Sequence, residues 1–124
     1  MKRVSGYGDF MVDAKIKIFD RELCLERFEG DEELLEELLE IYVDDAPNIF
    51  ARFVEALEKG DLSVAEREAH SMKSASANVG AERVRDASMQ AEKAAKAGDR
   101  ATVERLLEEM QSEFQTFCLA LGAL

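Results

Sequence analysis

Three glycine-aspartate steps, Gly30-Asp31, Gly60-Asp61 and Gly98-Asp99, cut the chain into stretches each long enough for one substantial helix. Glycine closes a helix by taking a left-handed conformation that other residues resist, and aspartate opens the next by offering its carboxylate to the free amides of the first turn. A chain punctuated in this way turns sharply between helices. The apolar residues agree. From Asp31 they fall at Leu34, Leu35, Leu38, Leu39, Ile41, Tyr42, Ile49, Phe50, Phe53, Val54 and Leu57. From Asp61 the apolar and small residues are Leu62, Ala65, Ala69, Met72, Ser76 and Val79, and over 81–97 they are Val84, Ala87, Ser88, Ala91, Ala94 and Ala95. From Asp99 they are Val103, Leu106, Leu107, Met110, Phe114, Phe117 and Leu121. Each series has the three- and four-residue spacing of a helix that buries one side. Four such helices joined by turns of a few residues predict an all-α fold, an antiparallel up-down four-helix bundle.

Two details modify this plan. Asp20 can cap a short extra N-terminal helix carrying Leu23, Cys24 and Phe28, which Gly30 ends. Pro47 falls inside the long helix after Asp31 and lacks the amide that would bond to Val43, which predicts a kink or a break near Asp45. A kink is favoured, because the apolar spacing resumes almost in phase. Ahead of these, residues 1–19 read as a lead-in or tether, with Lys15 to Ile18 alternating like a strand but having no second strand to pair with. Residues 20–122 read as the bundle.

Composition narrows the function. A chain of 124 residues with 47% apolar content holds one domain with one core. Its 27 acidic and 16 basic residues give a net charge of -11, which disfavours nucleic acid and anionic membranes as partners. The charge is uneven: nine acidic and no basic residues lie between Phe28 and Ala51, against nine basic and eight acidic between Lys59 and Arg105. Cys24 and Cys118 stand alone among helical apolar residues and read as small buried hydrophobes, with a disulfide between them left open. No leader and no run of 18 apolar residues is present, so a cytoplasmic location is expected. The initial methionine favours a free-standing protein.

The single histidine, His70, lies in the stretch after Asp61 and projects about 130° from the centre of that helix's apolar stripe. It is expected to face water. Lys73 and Ser74, three and four residues on, and Ala77, seven on, share its surface region. An accessible imidazole, an adjacent cation and small neighbours are what a surface phosphoryl carrier needs. One histidine without clustered cysteines is too little for a metal site. Ser71, Ser74 and Ser76 share one helix with His70 and leave no third member for a nucleophilic triad. A histidine with no special role on a solvated helix stays open on these residues alone.

The run AHSMKSASANVGA, from Ala69 to Ala81, resembles the signature of the histidine-containing phosphotransfer domains of multistep two-component signalling. That signature is a histidine, two residues, lysine, glycine, and a small-residue stretch ending in glycine ten positions after the histidine. His70, Lys73 and Gly80 match it, and Ser74 replaces the usual glycine. The segments from Gly30 to Pro47 and EALEKGD before the histidine helix are also similar, so the resemblance covers about residues 20 to 120. It implies a phosphorelay intermediate in which His70 accepts a phosphoryl group, Lys73 offsets its charge, and Arg67, Ala77, Asn78 and Gly80 meet the partner. The implied partners are response-regulator receiver domains, among them those of a hybrid histidine kinase. It further implies a monomer with no kinase activity and no cofactor of its own, Mg2+ belonging to the receiver. Ser74 also suits a docking module that regulates a kinase or receiver without taking phosphate, and a purely structural bundle is a further alternative.

Overall fold

The computed structural model describes residues 16–122; of the expected lead-in or tether over 1–19, residues 1–15 lie outside the described residues. Five helices follow in order: α1 (Arg21–Arg27), α2 (Glu32–Glu58), α3 (Leu62–Asn78), α4 (Glu82–Lys96) and α5 (Arg100–Leu121). The three glycine-aspartate steps form the turns expected of them. The glycines have φ of 80°, 71° and 77°, and Asp31, Asp61 and Asp99 accept hydrogen bonds from the amides of Leu34, Val64 and Thr102 at 3.0, 3.1 and 3.2 Å. Residues 16–19 are not helical; Ile18 and Phe19 lie against the core, and the Ile16 carbonyl accepts from Arg83 Nε at 2.9 Å. Residues 16–19 therefore lie along the bundle.

The four long helices pack around one core, and side-chain size sets the seams. Ala65 and Ala69 of α3 face Ala87, Ala91 and Ala95 of α4, all buried, so these two backbones approach closely. Aromatic rings hold α2 and α5 further apart: Tyr42 meets Phe114 and Phe117 edge-on at 5.5 and 5.4 Å, and Phe50 meets Phe114 at 5.6 Å. Tyr42 and the buried Ser76 of α3 share a hydrogen bond of 2.8 Å, which satisfies both hydroxyls and pins α2 to α3. Burial drives the Tyr42 hydroxyl above its ordinary range, so it stays neutral.

At Pro47 the helix continues without a break from Glu32 to Glu58. Ala46, Ile49 and Phe50 are buried on the stripe that holds Leu35 and Tyr42, so packing on both sides of the proline favours one helix. Pro47 itself is exposed, where water can take up the carbonyl it leaves without a partner. Cys24 and Cys118 are buried free thiols, so the disulfide left open by the sequence is not formed. Desolvation raises both thiols above their ordinary range.

Helix α1 is a clamp on the end of α3. A helix C-terminus leaves carbonyls without partners, and here the Ala77 carbonyl accepts from Arg27 Nη1 at 3.0 Å while the Gly80 carbonyl accepts from the Asp20 amide at 2.9 Å. The Cys24 thiol points at the Asn78 carbonyl at 3.9 Å. The clamp closes only over glycine. Gly80 has φ of 74° and is buried, and a Cβ there would lie 2.7 Å from Cys24 Sγ and 2.8 Å from the Asp20 carbonyl oxygen. Expected on the docking surface, Gly80 instead lies beneath α1, where it sets the end of the histidine helix.

Candidate functional site

His70 stands on the outer face of α3 with its side chain 58% exposed, as the stripe of Ala65, Ala69, Met72, Ser76 and Val79 requires. Its Nδ1 lies 2.8 Å from Oε2 of Glu92, which reaches across from α4. The other oxygen of the same carboxylate accepts from Lys73 Nζ at 2.6 Å. Glu92 thus holds both groups that the sequence singles out. The narrow alanine-lined seam between α3 and α4 is what brings a short carboxylate side chain within reach.

This geometry sets the chemistry of the ring. A carboxylate only accepts hydrogen bonds, so Nδ1 carries the proton and donates it to Glu92, leaving Nε2 with a free lone pair in the neutral ring. Nε2, the nitrogen with the free lone pair, is the one turned away from Glu92. The Lys73 ammonium is anchored beside the imidazole by the same carboxylate. Its own hydrogen bond is the main cause that holds the Glu92 carboxyl below the usual carboxylate range, the His70 bond adding to it against partial burial.

The lowered pKa of Glu92 makes the clasp pH-dependent in a defined sense. A carboxyl whose folded value lies below its unfolded value contributes stability that is fully present above the unfolded value, about 4.3 for glutamate, and is lost as pH falls through the folded value. Glu92→Gln should therefore be less stable than the parent at pH 7, by about 1 kcal/mol or less for a partly exposed pair. That difference should vanish by the bottom of the carboxylate range. Urea midpoints of the two proteins from pH 7 to 3 check this, and a gap that persists or widens in acid would contradict the ion-pair account.

The remaining sequence candidates divide by position. Ser74 and Asn78 are exposed on α3, and Arg67 is exposed one turn before His70. Ala77 is half-buried, its carbonyl taken by Arg27. Together these leave a low surface around the imidazole, since Ser74 and Ala77 rise little above the backbone. Among the described residues no three metal-ligating side chains converge, and no helix is long and apolar enough to cross a membrane. Glu92 is the residue that the sequence reading missed. Its signal is a carboxylate at the edge of an alanine-rich stripe, i+4 from the buried Ser88 and three before the buried Ala95.

Comparison with known proteins bears on this arrangement. The model of the Hpt domain matches residues 37–120, a span that contains His70, Lys73 and Glu92. The chain belongs to the Hpt domain family. Hpt domains are phosphoryl carriers that interact with receiver domains in phosphorelays. Among solved structures, the Hpt domain is similar to histidine-containing phosphotransfer protein B of Pseudomonas aeruginosa, at 26% identity and a TM-score of 0.77, over 87% of this chain and 92% of that one. It shares its fold with the Hpt domain of a sensor hybrid histidine kinase from Shewanella, at 20% identity and a TM-score of 0.67, over 86% of this chain and 96% of that one. No curated protein matches the sequence.

Proposed function

We propose that this Hpt domain is a relay intermediate that takes a phosphoryl group from a receiver phosphoaspartate onto Nε2 of His70 and passes it to the aspartate of another receiver. The observation that carries this reading is the Glu92 hydrogen bond to Nδ1, which directs the lone pair of an exposed ring outward. In the first step Nε2 attacks phosphorus in line. An N–P bond forms as the acyl phosphate P–O bond breaks, and the receiver's carboxylate leaves with that electron pair. No proton has to leave Nδ1 for the bond to form, and the resulting positive ring is offset by the Glu92 carboxylate.

Lys73 sits where a cation can offset charge on the transferring group, since its ammonium and the imidazole share one carboxylate. Lys73→Ala should lower the transfer rate at saturating receiver by roughly tenfold, less than the 10²–10³ of an enclosed donor because the site is open to water. The receiver concentration giving half the maximal rate should stay nearly constant. A rise in that concentration with an unchanged maximal rate would assign Lys73 to docking instead. Ser74, one turn from His70 on the side away from Glu92, has a hydroxyl that can donate to a phosphoryl oxygen.

The reading is tested by incubating the protein with a panel of phosphorylated receivers and measuring acid-labile, alkali-stable label. Transfer from at least one receiver is expected. Binding to a receiver without any label on His70 would favour a regulator that docks and does not carry phosphate.

A further inference from the structure

Two cations of α3, Lys73 and Arg67, share the surface region of His70, and the Glu92 clasp takes up only one of them. Lys73 lies about 60° around the helix from His70 on the side of α4, where its ammonium is held on the same carboxylate as Nδ1. A phosphoryl group on Nε2 projects the other way. Arg67, three residues before His70, lies about 60° around the helix on that other side and about 4.5 Å along the axis. Its side chain is exposed. Residues three apart on a helix have Cβ atoms about 5–6 Å apart, well within the reach of an arginine.

The carboxylates near Arg67 are engaged elsewhere. Asp61, which its charge reaches, accepts from the Val64 amide at 3.1 Å and the Ser63 hydroxyl at 2.9 Å. Glu68, next in the chain, is held by Arg52 of α2 at 3.1 Å. Glu66 lies about 40° around from His70 on the α4 side. An exposed guanidinium in this position can turn to a new anion without giving up a partner of its own. It also presents two parallel N–H groups that match two oxygens of a phosphoryl group, a geometry an ammonium lacks.

We propose that Arg67 binds the phosphoryl group carried by Nε2 of His70, donating two N–H groups to its oxygens, while Lys73 stays on Glu92 and acts from the other side of the ring. This rests on the reading of His70 as the phosphoacceptor. It gives Arg67 a part in the chemistry itself, where the family resemblance implies contact with the partner. As the phosphoryl group arrives or leaves, charge spreads over its oxygens, and a guanidinium on those oxygens lowers the barrier.

Arg67→Gln tests it, read first with phosphoramidate, a small donor that loses ammonia as the His70 N–P bond forms and needs no docking surface. Labelling of the variant should be about tenfold slower than that of the parent, as for one charged hydrogen-bonding group at a site open to water. Arg67→Lys, which keeps the charge but not the fork, should fall between them. Arg105→Gln removes the same charge from an exposed position on α5 and should label like the parent. The phosphorus NMR signal of the phosphohistidine should titrate at higher pH in Arg67→Gln than in the parent, because a neighbouring cation favours the dianionic phosphoryl group. Parental labelling and an unchanged phosphorus titration would overturn the assignment, and a raised requirement for receiver alone would return Arg67 to docking. A loss shared equally by Arg105→Gln would reduce the effect to net charge and overturn it as well. A parent protein labelled on His70 by neither phosphoramidate nor any receiver would instead overturn the phosphoacceptor reading, and the Arg67 assignment with it.

Discussion

His70→Gln should take no acid-labile label from any phosphorylated receiver, while its thermal unfolding stays close to that of the parent. The chain has one histidine, so no second imidazole can take over. The side chain is 58% exposed and fills no part of the core, and substitutions at such positions change stability by about 0.5 kcal/mol or less. Glutamine keeps a hydrogen-bonding group near Glu92 without offering a nucleophile. The loss should therefore be complete in transfer and slight in folding. Residual acid-labile label at the parental level would place the phosphoacceptor elsewhere, and a collapse of the fold would mean that the Glu92 clasp carries far more stability than its exposure allows.

Gly80→Ala should be the most damaging glycine-to-alanine change among the described residues. The backbone at this position is left-handed, with φ of 74°, a conformation that costs an L-residue about 1–2 kcal/mol. The new Cβ would also meet Cys24 Sγ at 2.7 Å and the Asp20 carbonyl oxygen at 2.8 Å. Relieving an overpacked contact of this kind costs a further 1–3 kcal/mol. The carbonyl is backbone and cannot rotate away, so α1 must move as a unit and give up its hold on the end of α3. A loss of about 2–5 kcal/mol is expected from urea denaturation, a large share of the stability of a small domain. An unchanged urea midpoint would show that α1 does not clamp α3 at this point. Gly30→Ala gives a useful contrast, because it shares the positive φ but would meet nothing within 4 Å.

Much of this fold is legible from local sequence because its punctuation is local. A glycine followed by an aspartate specifies a turn without reference to the rest of the chain, and the stripes of the four long helices report burial through periodicity alone. The outward direction of His70 follows from the same periodicity. Pro47 shows where local reasoning stops. The missing hydrogen bond can be read from one residue, but the packing of Ala46, Ile49 and Phe50 that carries the helix through it depends on α3 and α5. Glu92 was hidden for a related reason. It lies 22 residues from His70, and only the close approach of α3 and α4 makes them neighbours. Gly80 could be matched as part of a motif, whereas its burial under Cys24 and Asp20 required knowing where α1 folds back.

The measurement that bears most directly on the relay is a three-protein reconstitution. A labelled first receiver, this Hpt domain and an unlabelled second receiver are mixed, and the label is followed on each with time. Label should rise and fall on the Hpt domain before it accumulates on the second receiver, and replacing the parent with His70→Gln should stop its arrival. Label that reaches the second receiver equally fast with the His70→Gln protein, or that never leaves the first receiver in any combination tested, would contradict the account.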